Sequence, residues 1–210
     1  MKIIVFGASR GSGRYVVDQA LDSGLSVTAV LRNPATKYFA HPRLTIKSAD
    51  ACDLESLRRV LPGHDAIIST LGPAGLGKTD LYSATTRNFI GAMQETGIRR
   101  VISVSAIGAD PDPDLPFHLR WLARLIVRPI LNNLWTDAAR MEQIWATSDV
   151  DWTVIRPPRL THGPLTGKYR TIVNARLHHP IKLSRADLAD CILKQIDQRA
   201  SFGARLEVAE

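Results

Sequence analysis

Three glycines near the amino end, Gly7, Gly11 and Gly13, stand at G-x-x-x-G-x-G spacing directly after the apolar run Ile3-Ile4-Val5-Phe6. Their chemistry is that of an anion cradle. Glycine permits a tight turn, lets the backbone approach a bound group, and lets the next helix pack close to the strand. A helix opening here presents unpaired N–H groups and a positive dipole end to phosphate oxygens. The order strand, glycine turn, helix predicts a dinucleotide pyrophosphate site, lined by Gly7, Ser9, Arg10, Gly11, Ser12 and Gly13. The plain alternative is a strand-to-helix turn with no ligand.

The type of dinucleotide is decided at the end of the second strand, residues 26–31. An NAD site usually places Asp or Glu there to accept from the ribose hydroxyls. This chain has Arg32, and Arg10 of the glycine turn can reach the same region. Two guanidiniums suit a 2′-phosphate, which a planar multidentate fork binds well. The reading is NADP(H), with NAD(H) less favoured; for Arg32 a solvated loop charge is the alternative.

The elements that must position these residues alternate strand and helix. Further strands are predicted at 44–47, 65–70, 100–105 and 152–156, with 206–208 as a last edge strand. Helices are predicted at 53–61 with Asp53 as cap, at 81–95 ending at Gly97, and at 184–196 with Ser184 as cap. This alternation predicts an α/β chain: a single doubly wound parallel sheet, the Rossmann fold, with helices on both faces. Residues 1–210 are expected to form one NAD(P)-binding domain.

Composition agrees. The chain has 210 residues, 45% hydrophobic and 22% charged, enough for a full core. No apolar stretch is long enough for a transmembrane helix, and the first residues read as a strand rather than a signal peptide. Cys52 and Cys191 lack metal-ligand spacing and read as reduced core or helix cysteines of a cytoplasmic protein, with no metal expected. The net charge of +7 is explained in part by a polyanionic cofactor. No basic-aromatic array is present, so neither nucleic acid nor membrane is the expected partner.

Asp110-Pro111-Asp112-Pro113-Asp114-Leu115-Pro116 reads as a proline-rich loop. Behind it lies a basic, apolar helix, 117–128, which Pro129 stops or bends. Residues 110–133 are a candidate lid over the carboxyl ends of the strands, a dimer contact or, least favoured, a membrane-surface helix.

At this point the residues resemble the atypical short-chain dehydrogenase/reductases, in particular the NAD(P)H-binding proteins that include the biliverdin reductase B (flavin reductase) and NmrA-like groups. The marks are the glycine turn, Asp50-Ala51-Cys52-Asp53, Thr70-Leu71-Gly72, Val104-Ser105-Ala106, Arg156-Pro157-Pro158-Arg159-Leu160 and Gly163-Pro164-Leu165-Thr166-Gly167. The small flavin reductases usually show G-x-x-G-x-x-G, and Arg10 stands at their middle glycine. The resemblance implies that Asp50 and Ala51 flank the adenine, and that Thr70, Leu71 and Gly72 line the ribose and nicotinamide side. It also implies that Ser105 lies beside the nicotinamide as the catalytic candidate, with Pro157 and Pro158 as the pocket wall. Asp50 as a turn residue and Ser105 as a satisfied strand-end hydroxyl are the plain alternatives.

Typical short-chain dehydrogenases reduce ketones with a Tyr-x-x-x-Lys pair. Here Tyr15, Tyr38, Tyr82 and Tyr169 are followed four residues on by Gln19, Pro42, Thr86 and Val173, and Leu134 and Ala138 occupy the expected places of the pair. A ketone gaining hydride becomes a localised alkoxide that needs an acid or an oxyanion site. A flavin, quinone or tetrapyrrole spreads the charge, so positioning suffices. Where small flavin reductases often carry a His, this chain has Arg159, a candidate partner for an acidic group of the substrate; His162 is the weaker candidate. Asp137 and Glu142, five residues apart, read as structural or solvated acids. The expectation is an NADPH-dependent reductase of a conjugated acceptor, as monomer or homodimer. The alternative is a non-catalytic, NADP(H)-sensing, NmrA-like regulator.

Overall fold

The computed structural model describes residues 1–32, 38–75, 77–107, 121, 125 and 128–210. The strands are β1 Lys2–Phe6, β2 Ser26–Leu31, β3 Leu44–Ser48, β4 Ala66–Ser69, β5 Arg100–Val104, β6 Asp151–Arg156, β7 Arg159–Thr161, β8 Arg170–Val173, β9 Lys182–Ser184 and β10 Ala204–Ala209. The helices are α1 Gly11–Asp22, α2 Leu54–Val60, α3 Leu81–Thr96, α4 Arg128–Ala146 and α5 Arg185–Lys194. Eight strands form one sheet in the order β3-β2-β1-β4-β5-β6-β10-β8; β7 and β9 pair separately. All neighbours in the large sheet are parallel except β10 and β8, which run antiparallel from Leu206↔Val173 to Ala209↔Arg170. The doubly wound sheet is therefore as expected, with an antiparallel edge added.

The chain runs outward from β1 through β2 to β3, then returns to β4 on the other side of β1. The crevice beyond the carboxyl ends of β1 and β4 is the switch point at which such sheets bind ligands. β1 is buried on both faces, which is why it reads as a continuous apolar run. Ile3 and Val5 face α1 and α5, packing with Val17, Leu188 and Ile192. Ile4 and Phe6 face the other layer, with Leu57, Met93 and Trp145; Phe6 meets Phe89 edge-on at 4.9 Å.

Local signals fix three helix ends. Asp53 caps α2 by accepting from the Glu55 N–H at 3.1 Å. Gly97 ends α3 in the left-handed region, φ +73°, and its N–H donates to the Met93 carbonyl. Ser184 caps α5 by accepting from the Asp187 N–H at 2.9 Å.

Other expectations are corrected. The last strand is not an edge. β10 lies between β6 and β8, and the edge is β8, a short strand whose mostly exposed residues show no alternation. Pro129 lies within α4 as described from Arg128 on, and the helix expected at 117–128, with any stop or bend of it, lies mostly outside the described residues. Cys52 is exposed in the turn after β3, outside core and helix; Cys191 is buried. The proline-rich loop and most of the candidate lid lie outside the described residues.

His64 is buried toward the amino ends of the strands. Its Nδ1 donates to the Leu61 carbonyl at 2.8 Å and its Nε2 accepts from the Thr28 hydroxyl at 2.7 Å. A carbonyl only accepts, so the neutral ring carries its proton on Nδ1. Burial pushes the ring below its ordinary value of 6.5. The unfolded chain then binds a proton that the folded chain refuses. This contribution to stability is complete above about pH 6.5 and is lost as pH falls below it. Urea unfolding from about pH 8 to about pH 5 should show a steeper loss in the wild type than in His64→Gln; parallel curves would contradict the assignment.

Candidate functional site

Each glycine of the turn has a physical reason. Gly7 has φ +82° and Gly11 φ +60°, conformations that side-chain-bearing residues rarely adopt. A Cβ on Gly7 would lie 2.6 Å from Thr70 Oγ1. A Cβ on Gly13 would lie 2.3 Å from the Gly7 carbonyl oxygen and 2.5 Å from Thr70 Oγ1. Thr70 is locked against the turn, with both its N–H and its hydroxyl donating to the Phe6 carbonyl at 3.0 Å. α1 therefore starts as close to β1 as backbone can come. Arg10, at its cap position, is extended and no side chain caps the helix. A cradle that a Cβ would fill and a helix start with open N–H groups fit a dinucleotide pyrophosphate.

Arg10 and Arg32 are exposed and have no acid partner among the described residues. Arg32 lies close enough to the Cys52 thiol to act on it electrostatically, as does Asp50, so the ends of β2 and β3 bring the three together. Asp50 is used locally: its Oδ1 accepts from the Cys52 N–H at 2.9 Å. That is the turn role weighed against adenine binding. Ala51 is buried, and its carbonyl accepts from the Asn88 amide at 3.1 Å. Tyr38 was not expected here. Its hydroxyl donates to the Ala8 carbonyl at 3.0 Å, the Arg14 guanidinium stacks 4.0 Å from its ring, and burial pushes its pKa up to about 12. No spacing signals it, because residues 38 and 8 meet only through the fold.

Beyond Thr70, Leu71 packs against the layer of α2, α3 and α4, and Gly72 lies beside the Tyr82 hydroxyl. At the neighbouring strand ends, the Ser105 N–H donates to the Ile155 carbonyl at 2.8 Å and the Ile107 N–H to the Pro157 carbonyl at 3.1 Å. This continued pairing sets Ser105 opposite Arg156 and Ala106 opposite Pro157. Pro157 is buried, Pro158 half-buried, and Arg159 and His162 are exposed.

Behind Ser105 lies a cluster that sequence reasoning missed. Glu142 is 4% exposed. It accepts from the Ser105 hydroxyl at 3.1 Å, from Arg156 Nε at 2.8 Å and from Arg205 Nε at 2.9 Å. Arg156 also donates through Nη2 to Glu142, and its Nη1 lies 3.9 Å from Glu207 Oε1. Glu142 is thus not a solvated acid. Its hydrogen bond to Arg156 raises the pKa of that guanidinium, against burial. The available signal was Arg156 itself: a charge at the end of a buried strand needs a counter-charge. Asp137 is structural, as expected. It is fully buried and caps α3 from α4, accepting from the Tyr82 and Ser83 N–H groups at 2.8 and 3.3 Å.

The segment 163–167 is held by Asp187, which accepts from the Thr166 N–H and the Gly167 N–H at 2.8 Å each and from the Thr166 hydroxyl at 2.9 Å. Among the described residues no group of His, Cys, Asp and Glu is placed to hold a metal ion, and no helix is long and apolar enough to cross a membrane.

Comparisons with known proteins agree with this geometry. Cinnamoyl-CoA reductase 1 of Petunia hybrida is 29% identical over 203 residues, 86% of this chain and 59% of that enzyme. The chain thus spans less than two thirds of that relative's length. A Streptococcus pneumoniae protein described as an NADH-flavin reductase shares the fold, with TM-score 0.77 and 22% identity over 100% of this chain and 99% of the other. A Veillonella parvula short-chain dehydrogenase/reductase in complex with NADP has TM-score 0.79 and 16% identity, covering 100% and 94% of the two chains. A family model described as NAD(P)H-binding matches residues 7–199. With its glycine cradle in place at the switch point, the chain belongs to this NAD(P)H-binding, oxidoreductase-like family.

Proposed function

We propose that this chain is an NADPH-dependent reductase that passes hydride to a flavin or a similar conjugated acceptor, such as a quinone or a tetrapyrrole. The observation that carries the choice of cofactor is the pair Arg10 and Arg32, two exposed guanidiniums flanking the glycine turn and the end of β2 with no acid partner among the described residues. A 2′-phosphate supplies the anion they lack, and no carboxylate follows β2 directly to serve a bare ribose.

The bound nicotinamide supplies the hydride. The chain's own residues position and exclude. The open N–H groups of α1 hold the pyrophosphate. Ser105 and Pro157, both buried, lie at the carboxyl ends of β5 and β6. The Ser105 hydroxyl donates to the Glu142 carboxylate, whose charge is held by two arginines, so this serine is placed to orient rather than to protonate. With no Tyr-x-x-x-Lys pair in the sequence, an acceptor that spreads incoming charge suits the site better than a ketone. Arg159, exposed at the start of β7, is available to an acidic group of that acceptor. The NADH-flavin reductase described among the structures of like fold supports the class of acceptor, and the NADP held by another supports the cofactor.

The test is NADPH oxidation with FMN as acceptor, with NADH in parallel. Turnover with NADPH preferred is the expected result. Tight NADPH binding without turnover of FMN, a quinone or biliverdin would move the assignment to an NADP(H)-sensing regulator. Arg32→Glu should weaken NADPH binding about 10- to 100-fold, the worth of a charge-assisted bond to phosphate, and leave NADH nearly unchanged. Equal loss of both would remove the 2′-phosphate assignment.

A further inference from the structure

We propose that Arg185 is a further cofactor-binding residue, one that grips the pyrophosphate of the dinucleotide from the side of α5; this rests on the dinucleotide site at the glycine turn. α5 opens against α1. The Gln19 amide donates to the Ala186 carbonyl at 2.9 Å, and the two helices share one core. This packing brings the Arg185 side chain to the glycine turn: a Cβ on Gly11 would lie 3.9 Å from Arg185 Nε.

Arg185 is half-buried, and its guanidinium is under-used. Arg carries five N–H donors. Among the described residues it makes one hydrogen bond, a long one of 3.4 Å from Nη1 to the Leu160 carbonyl. The two acids of α5 are engaged elsewhere. Asp187 holds Thr166 and Gly167, and Asp190 accepts from Tyr169 and Lys194. No carboxylate pairs with Arg185 among the described residues. A partly desolvated cation without a counter-charge is unfavourable, and an anion arriving at the turn relieves it. The first turn of α1, which no side chain caps, begins at this same Gly11. Two sets of donors of different origin thus meet at the glycine turn. The contact with Leu160, in β7, also ties this guanidinium to the strand that follows Pro157 and Pro158.

Pyrophosphate is common to NADH and NADPH, so Arg185 serves both cofactors equally, whereas Arg32 serves only the 2′-phosphate. The experiment is a binding titration of wild type, Arg185→Met and Arg185→Lys with NADPH and with NADH, at low and high salt, with adenosine 2′-monophosphate as a ligand lacking the pyrophosphate. Arg185→Met should weaken both dinucleotides by the same factor, about tenfold, and leave adenosine 2′-monophosphate unaffected. Arg185→Lys should fall between, because it keeps the charge and loses the fork. The gap to wild type should narrow at high salt. Wild-type affinity in Arg185→Met, loss for one dinucleotide only, or equal loss for adenosine 2′-monophosphate would each overturn the assignment. If Arg185→Met does not fold, Arg185→Lys decides: wild-type affinity for both dinucleotides overturns it, and an equal weakening supports it. Failure of the wild type to bind either dinucleotide would instead overturn the reading of the glycine turn, and Arg185 with it.

Discussion

Replacing Gly13 by alanine is expected to abolish dinucleotide binding and to lower the melting temperature by about 10 °C. Two effects oppose each other. Alanine in a helix is favoured over glycine by about 1 kcal/mol. Against this, the new Cβ would lie 2.3 Å from the Gly7 carbonyl oxygen, 2.5 Å from Thr70 Oγ1 and 2.7 Å from the Gly7 carbonyl carbon. Two of these are backbone atoms of a turn already held at positive φ, and Thr70 is pinned by two hydrogen bonds to the Phe6 carbonyl. None can give way cheaply, so α1 must move off β1. Overpacking of this severity costs about 3 kcal/mol net, and each kcal/mol shifts the melting temperature of a chain this size by about 2–4 °C. The displaced helix start no longer aims its N–H groups at the switch point, so binding fails even in the folded fraction. Gly77→Ala is the control: a Cβ there meets nothing within 4 Å, and both melting and binding should match the wild type. A Gly13→Ala protein that melts and binds normally would mean that α1 does not sit this close to β1.

The same turn shows why some of the molecule is legible in the sequence. Its signal is local: Gly7, Gly11 and Gly13 fall within seven residues of chain, so their spacing announces the turn, although Thr70, which Gly7 and Gly13 must clear, comes from the end of β4. Asp53, Gly97 and Ser184 were readable as caps for the same reason, since each bonds within four residues. Buried parallel strands announce themselves as apolar runs. What was hidden is non-local. Asp137 caps a helix 55 residues earlier, which no cap rule anticipates. β10 carries Arg205 and Glu207 inside the sheet because both answer charges on other elements, and alternate polar residues then read as an exposed edge. Asp50 was readable as a turn residue and as an adenine ligand at once, and the hydrogen bond to Cys52 supports the turn. Ser105 was legible as a strand-end hydroxyl, whereas its partner lies 37 residues on in another layer.

That partner carries the second large effect. Glu142→Leu is expected to destabilise the fold by about 3 kcal/mol and to reduce kcat with little change in cofactor affinity. The carboxylate is nearly fully buried, while the side chains of Arg156 and Arg205 remain 27% and 36% exposed. Removing one member of a buried ion cluster costs about 3–5 kcal/mol, and partial solvation of the two guanidiniums places this case at the lower end. Glu207, 3.9 Å from Arg156, compensates only in part. Glu142→Gln keeps an oxygen that accepts from Ser105 and should lose about half as much. Its kcat should stay closer to wild type, which separates the orientation of Ser105 from bulk destabilisation. The stability readout has an internal check. In the double variant with Arg205→Met one stranded cation is gone, so the two losses should fall short of additivity by about 1 kcal/mol or more. Strict additivity would show that the charges do not act as a unit. A fall in NADPH affinity as large as the fall in kcat would place Glu142 at the cofactor rather than behind Ser105.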